Sequence, residues 1–187
     1  MNSVIFDAIN DLANHGVIPD DLAKWASQYL LYAIVVVVAG LWFVGRGAEK
    51  DADRRAILEG VFSAVIGLGI VAIIQHFYQH PRPFVVRNDV DLLVSHSADS
   101  SFPSEHVIVA SALAGAFIWN RRWPGIPLLC GTLAVGFARV MVGIHYPADV
   151  AAALVLGLGI SWMVSWMNAP ADRAQRLLTG FMPPPLR

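Results

Sequence analysis

An all-α fold, an integral membrane helical bundle of about five transmembrane helices with an N-terminal amphipathic interfacial helix, is what this sequence predicts. Three observations carry the expectation. Hydrophobic residues make up 56% of the 187 residues and charged residues only 14%, whereas a soluble domain carries roughly a quarter charged residues. Apolar runs that reach, or nearly reach, the ~20 residues needed to cross the hydrocarbon core recur five times. The basic residues gather on alternate connections between those runs.

The length suits one domain spanning 1–187, divided into an N-terminal helix (1–20), a transmembrane bundle (25–167) and a tail (168–187). In the first part Ile5, Phe6, Ile9, Leu12 and Ala13 fall on one helical face and Asp7, Asn10, Asp11 and Asn14 on the other. That pattern suits a helix lying on the membrane surface or one packed on the protein itself. No basic segment precedes an apolar run at the N-terminus, and Asp7 interrupts any such run, so no cleavable signal peptide is expected. The first span runs from about Trp25 to Gly45 and the second from about Gly60 to Phe77. The third opens near Ser104 and closes near Asn120, the fourth runs from Trp123 to about Val142, and the fifth from about Ala148 to Met167. The turn Asn120-Arg121-Arg122-Trp123-Pro124 is short enough to make the third and fourth spans antiparallel neighbours. Small residues at helix-packing spacing (Ala110/Ala114, Ala112/Ala116, Ala134/Ala138) suit close contacts in lipid. In the tail, Asp172 to Leu178 predicts a short surface helix ended by Pro183-Pro184-Pro185. The one cysteine, Cys130, allows no internal disulfide and reads as a small core hydrophobe.

Five spans put the termini on opposite sides. Arg46, Lys50, Arg54 and Arg55 in the loop after the first span, Arg121 and Arg122 after the third, and Arg173, Arg176 and Arg187 in the tail share one side. They are nine of the 13 basic residues; Lys24, Arg82, Arg87 and Arg139 lie on the other. The positive-inside rule then places the C-terminus inside and the N-terminus outside. The segment from Tyr78 to Pro103 and the junction of the fourth and fifth spans are placed outside with it. A net charge of -1 leaves no basic surplus for a nucleic-acid partner.

Three clusters fall at that outer face: His80-Pro81-Arg82-Pro83-Phe84, Ser101-Phe102-Pro103-Ser104-Glu105-His106, and Arg139 with His145 and Asp149. Singly, an arginine near a helix end snorkels to headgroups, a Pro-Ser pair caps a helix and an interfacial histidine is a satisfied surface group. Gathered at one depth they suit phosphoryl transfer, whose transition state spreads negative charge over three oxygens. Arg82 and Arg139 can each present a planar fork of donors to phosphate. Ser104 starts a helix, where hydroxyl and free N–H groups face an anion. Two histidines can divide attack on phosphorus from protonation of the leaving oxygen. Pro147 is placed to open the fifth span, which puts Asp149 in its first turn within reach of His145.

This pattern closely resembles the type 2 phosphatidic acid phosphatase superfamily, whose motifs read Lys-x6-Arg-Pro, Pro-Ser-Gly-His and Ser-Arg-x5-His-x3-Asp. The chain offers Gln75-x6-Arg82-Pro83, then Pro103-Ser104-Glu105-His106, then Ala138-Arg139-x5-His145-x3-Asp149. The resemblance implies His145 as phosphorus nucleophile, His106 as general acid and Asp149 as the group orienting His145. It implies phosphate binding by Arg82, Arg139 and Ser104, with Gln75 at the lysine position and no metal or other cofactor. Three positions depart from the pattern. Gln75 removes a charge for which Arg87 is a candidate substitute, Ala138 removes a hydroxyl, and Glu105 adds a carboxylate beside the general acid. Glu105, the His80-Pro-Arg-Pro-Phe stretch and the short chain are similar to the bacitracin-resistance type of undecaprenyl pyrophosphate phosphatase. The implied activity is hydrolysis of undecaprenyl diphosphate through a phosphohistidine, in carrier-lipid recycling for peptidoglycan biosynthesis. The implied location is the bacterial inner membrane with the site facing the periplasm or exterior, and the partners are a lipid phosphate and the bilayer. Rival readings are the same chemistry or a phosphotransfer on phosphatidate, phosphatidylglycerol phosphate or lipid A; a transporter with a His/Asp/Arg relay; a metal hydrolase; and a haloperoxidase. The sequence leaves lipid choice and oligomeric state open.

Overall fold

The structure is a computed structural model that describes residues 2–16, 19–44, 47–120 and 122–167. Among them the chain forms α1 (Asn2–Asn10), α2 (Asp20–Leu41), α3 (Gly47–Phe77), α4 (Pro83–Val86), α5 (Glu105–Trp119), α6 (Gly125–Met141) and α7 (Pro147–Met167). No strand accompanies them beyond an isolated bridge between Pro81 and Ser100. Gly45, Arg46, Arg121 and the whole segment 168–187, with its expected short helix and its arginines, lie outside the described residues.

The five expected spans correspond to α2, α3, α5, α6 and α7, and the chain is a multi-pass membrane protein. Three of these helices, α2, α3 and α7, are long and apolar enough to cross a membrane. α5 and α6 are shorter, at 15 and 17 residues. At 1.5 Å per residue α5 covers about 22 Å, less than the ~30 Å of hydrocarbon. Its position removes the mismatch, since α3, α6 and α7 pack around it and ten of its 15 residues are buried. α2 lies outside this group, against α6. The seam of α5 and α7 depends on missing side chains. A Cβ at Gly157 would strike Ser111 Oγ and come within 2.7 Å of the Ile108 carbonyl, and one at Gly115 would strike Ser161 Oγ. Backbones this close gain packing and polar contacts where apolar burial gives no drive. Of the alanine pairs, those on α5 are buried, whereas Ala134 of α6 is exposed beside a groove with α2.

Several sequence expectations change. Lys50, Arg54 and Arg55 do not lie in a loop: α3 already begins at Gly47, and at 31 residues (about 46 Å) it extends past the hydrocarbon. Its first turns bury Lys50, Asp53, Arg54 and Glu59. Cys130 is exposed on α6 rather than in the core, because a membrane helix is apolar toward lipid as well as toward protein. α1 packs on α6 and α7, with Phe6 buried and Val4 and Ile5 exposed. Asn10, assigned above to the polar outer face, is 2% exposed. Its amide donates to the carbonyls of Asp91 and Met141, both at 2.9 Å, while its oxygen accepts from Asp91 N–H at 2.9 Å. The orphan carbonyls at the end of α6 recruit a polar side chain inward, a need that periodicity does not register.

Candidate active site

Chain direction alternates through the bundle, so the start of α2, the end of α3, the start of α5, the end of α6 and the start of α7 meet at one end. There α6 is terminated by Gly143 at φ +85, where a Cβ would lie 2.8 Å from the Asp91 carbonyl. This left-handed turn after the helix directs the next residues, Ile144 and His145, back into the protein. α7 then opens on Pro147, whose missing N–H costs nothing at a first helical position. Asp149 is the third residue of that helix, and its Oδ2 accepts the Tyr146 N–H at 2.8 Å. A carboxylate there satisfies a backbone donor ahead of the helix, and the same bond fixes Asp149 beside His145.

His145 and Asp149 are 2% and 1% exposed. His145 Nδ1 faces Asp149 Oδ2 at 3.6 Å, longer than a formed hydrogen bond. Its other nitrogen, Nε2, lies 3.2 Å from Arg82 Nη1, 3.1 Å from Arg139 Nη2 and 3.4 Å from Ser104 Oγ. Guanidinium nitrogens are donors only, so Nε2 carries the lone pair and Nδ1 the proton. Burial pushes the His145 imidazole down to about 4, the two arginines add to this and Asp149 opposes it. The ring is therefore neutral at pH 7, with a nucleophilic lone pair aimed at the point where three donors converge. Arg139 is held by the Ser27 carbonyl of α2 at 3.3 Å. Arg82 is held by the carbonyls of Ile144 (3.0 Å) and Ser100 (3.3 Å). Ser104 is the N-cap residue of α5, with an extended backbone and no side-chain cap bond, which leaves its Oγ to face His145, and the first N–H groups of α5 have no intrahelical partner.

The other expected residues lie at different distances from this point. His106, in the first turn of α5, is half-buried, its ring edge-on to Tyr32 with centroids 6.5 Å apart. It feels the charges of Arg139 and His145. Glu105 is exposed and acts on Arg139 through its charge. Gln75 is half-buried in the last turn of α3; its carbonyl accepts from Gln79 at 2.6 Å, and among the described residues no hydrogen bond joins its side chain to the cluster. Arg87 does not substitute for the motif lysine. It pairs with Asp7 and Asp89, both at 2.6 Å, and covers the Phe6 ring at 5.3 Å, so it anchors α1. The intervening acidic residues on α1 and the loop capture it before the site does.

Three groups that the motifs do not specify join the cluster. Asp99 Oδ1 accepts from Arg82 Nε and Nη2, both at 2.8 Å. His96 Nε2 sits 3.4 Å from Arg139 Nη2. His80 Nδ1 meets Ser101 Oγ at 2.8 Å and lies 3.8 Å from the second oxygen of Asp149. Burial, then the Arg82 charge, pushes the His96 imidazole below its ordinary value. Only their position in the run between two motifs, His96 to Ser104, could have pointed to the first two.

Comparison with known proteins gives the same picture. The sequence pattern of the PAP2 superfamily matches residues 56–173. Undecaprenyl-diphosphatase BcrC of Bacillus subtilis (strain 168) is 34% identical over 163 residues, covering 87% of this chain and 82% of that protein. Among solved structures, LpxE of Aquifex aeolicus superposes with a TM-score of 0.63 at 24% identity, over 87% of this chain and 93% of that one. A transmembrane PAP2 type phosphatidylglycerolphosphate phosphatase from Bacillus subtilis gives 0.61 at 22% identity, over 90% and 87%. With its fold, its motif spacing and these matches in agreement, the chain belongs to the PAP2 superfamily.

Proposed function

We propose that the protein is a membrane lipid phosphatase that hydrolyses a polyprenyl diphosphate, of the undecaprenyl diphosphate type, to the monophosphate and inorganic phosphate. The observation that carries this reading is the convergence of Arg82, Arg139 and Ser104 on His145 Nε2. His145 attacks the terminal phosphorus, and the bond from that phosphorus to the bridging oxygen breaks. His106 gives its proton to the departing oxygen, while the two arginines and Ser104 hold the three equatorial oxygens. Asp149 balances the positive charge that develops on His145. Water then attacks the phosphohistidine, its proton passes to His106, and phosphate leaves with both histidines restored.

The diphosphate assignment is supported by the likeness to BcrC, which carries the name undecaprenyl-diphosphatase. A lipid substrate is supported by an apolar groove of about 260 Å³ between α2 and α6, lined by Leu30, Phe137, Ala138 and Met141 among others. Its lining residues Ala138 and Met141 flank Arg139 along α6, so the groove offers a path for the tail of a lipid whose headgroup rests on the arginine. The site faces the exterior, supported by the asymmetry of basic residues; the N-terminal end of α2 and the site lie at the same end of the bundle.

Phosphate release from a panel of lipid mono- and diphosphates in detergent tests the activity. The polyprenyl diphosphate is expected to be turned over fastest, and a preference for phosphatidate, phosphatidylglycerol phosphate or lipid A would redirect the assignment. Activity is expected to survive EDTA and to be inhibited by vanadate, a five-coordinate phosphorus mimic; loss on chelation restored by one metal would favour a metal hydrolase. Impermeant thiol labelling of Asp91→Cys on a Cys130→Ser background, in intact cells, tests orientation.

A further inference from the structure

The connection between α4 and α5 carries two ionisable side chains that this chemistry leaves unused, and each touches one of the two site arginines. Asp99 takes two nitrogens of Arg82, and His96 Nε2 lies against Arg139 Nη2. That Arg139 nitrogen is the one facing His145 Nε2 at 3.1 Å, so it sits between the nucleophile and a second imidazole at the mouth. The His96 side chain is 25% exposed, with one side open to solvent. Its Nδ1 lies 3.2 Å from the Ser97 carbonyl, which aims Nε2 at the cluster.

Charge makes this position informative. Arg82, Arg139 and Asp99 together carry one net positive charge, and a phosphate monoester brings up to two negative ones. A diphosphate monoester brings up to three and therefore needs a further cationic donor. Lys24 pairs with Asp21 at the surface, Lys50 lies at the other end of α3, and Arg87 is held by Asp7 and Asp89. His106 is committed to the leaving oxygen, and His80 is taken up by Ser101 Oγ on the Asp149 side of the cluster. His96 lies against Arg139, feels the charge of Arg82 and can take a proton from solvent.

We infer that His96 is a specificity-determining residue that binds the second, lipid-attached phosphate of a diphosphate, protonated at Nε2 in the complex. This rests on the diphosphate reading proposed above. Before binding, burial and the two arginines keep the ring neutral, with Nε2 accepting from Arg139. The arriving anion reverses that balance, His96 gains one proton from bulk water, and Arg139 turns fully to the terminal phosphate.

The test holds the lipid tail constant. Turnover of farnesyl diphosphate and farnesyl monophosphate is measured for the wild-type chain. Inhibition by farnesyl methylenediphosphonate and by farnesyl phosphonate is measured for wild type, His96→Ala and His96→Lys, with thermal unfolding in detergent as the check on folding. A lost charge-assisted hydrogen bond predicts that the preference for the diphosphonate over the phosphonate falls about tenfold in His96→Ala. His96→Lys, which keeps a cation there, retains the preference. Equal weakening of both inhibitors would mean that His96 only props Arg139, and an unchanged preference would remove it from the site; either overturns the inference. A wild-type enzyme that hydrolyses the diphosphate while His96→Ala keeps its preference sinks the His96 assignment alone. A wild-type enzyme that hydrolyses the monophosphate and ignores the diphosphate sinks the proposed function and this inference with it.

Discussion

Two buried polar clusters sit at opposite ends of the same bundle, and they are built on opposite rules. Around Glu59 the carboxylates are met by donors. The fully buried carboxylate takes Arg55 Nε at 2.9 Å, Asn120 Nδ2 at 2.6 Å and Ser165 Oγ at 2.6 Å. Asp53 takes Arg122 Nε at 2.6 Å, and Arg54 donates to the Trp42 carbonyl and covers its ring. These bonds tie the start of α3 to the ends of α2, α5 and α7 and to the start of α6, so the cluster acts as a fastening. Around His145 donors crowd a single lone pair. Arg139 Nε, His145 Nδ1 and Asp149 Oδ1 are buried without a hydrogen-bond partner among the described residues. Leaving buried polar atoms short of partners costs stability, so three such atoms gathered around one imidazole mark that end for binding, while the filled carboxylates of Glu59 and Asp53 brace the other.

The largest expected effect breaks the His145 end alone. His145→Ala is expected to reduce turnover at least about 10³-fold on every substrate, since no phosphohistidine can form. Its thermal unfolding in detergent should shift less than that of a Glu59 variant. Residual turnover within tenfold of wild type would remove His145 as nucleophile. Next in size, His106→Ala should lose about 10²-fold on an alkyl monophosphate. Nitrophenyl phosphate, whose leaving group needs little protonation, should recover part of that loss. Equal losses on both substrates for His106→Ala, with recovery in His145→Ala instead, would exchange the two roles.

At the other end the expectation reverses. Glu59→Ala takes the acceptor from Ser165 Oγ and one of two acceptors from Asn120 Nδ2, and removes one partner of Arg55, a loss of about 3 kcal/mol in stability. Turnover per folded molecule should stay within about twofold of wild type, measured after separating folded protein by size exclusion in detergent. A specific-activity loss as large as that of His106→Ala would mean that the two ends are coupled through α3 and α5, and the division drawn above would fail.

The difference between the ends also explains what the sequence could and could not disclose. Hydropathy located all five long helices, because each must hide its backbone from lipid. The convergence of Arg82, Ser104, Arg139, His145 and Asp149 was legible because they sit at helix ends, where spacing fixes side-chain position. Arg139-x5-His145 spans one left-handed turn at Gly143, and His145-x3-Asp149 one helical entry. His96 and Asp99 were not legible: they belong to an irregular connection whose path depends on Asn10 and Asp91, contacts 81 residues apart. The Glu59 cluster was hidden for another reason. Its arginines read in the sequence as a solvated, orienting loop, and nothing in local composition distinguishes a basic loop from the first turns of a long helix with acidic partners at i+4 and on other helices.

The smallest effect tests how far the His145 end is short of charge. Gln75 stands seven residues before Arg82, where the family pattern has lysine, and it is half-buried in the last turn of α3. Gln75→Lys adds a flexible cation to a cluster already holding two guanidiniums, of which Arg82 is neutralised in part by Asp99. The new ammonium gains attraction to bound phosphate and to Asp99, and loses some of it to repulsion from Arg82 and to solvent screening. Pairs of this exposure contribute at most about 1 kcal/mol, so the KM for a lipid diphosphate should fall by no more than about fivefold. The vanadate inhibition constant should fall with it, because the charge acts on the phosphoryl group rather than on the tail. A fall in KM without a change in vanadate inhibition would place the lysine on the lipid-attached phosphate, beside His96. No change in either would show that position 75 does not reach the anion, and that the cluster of Arg82, Arg139 and Ser104 is electrostatically complete without it.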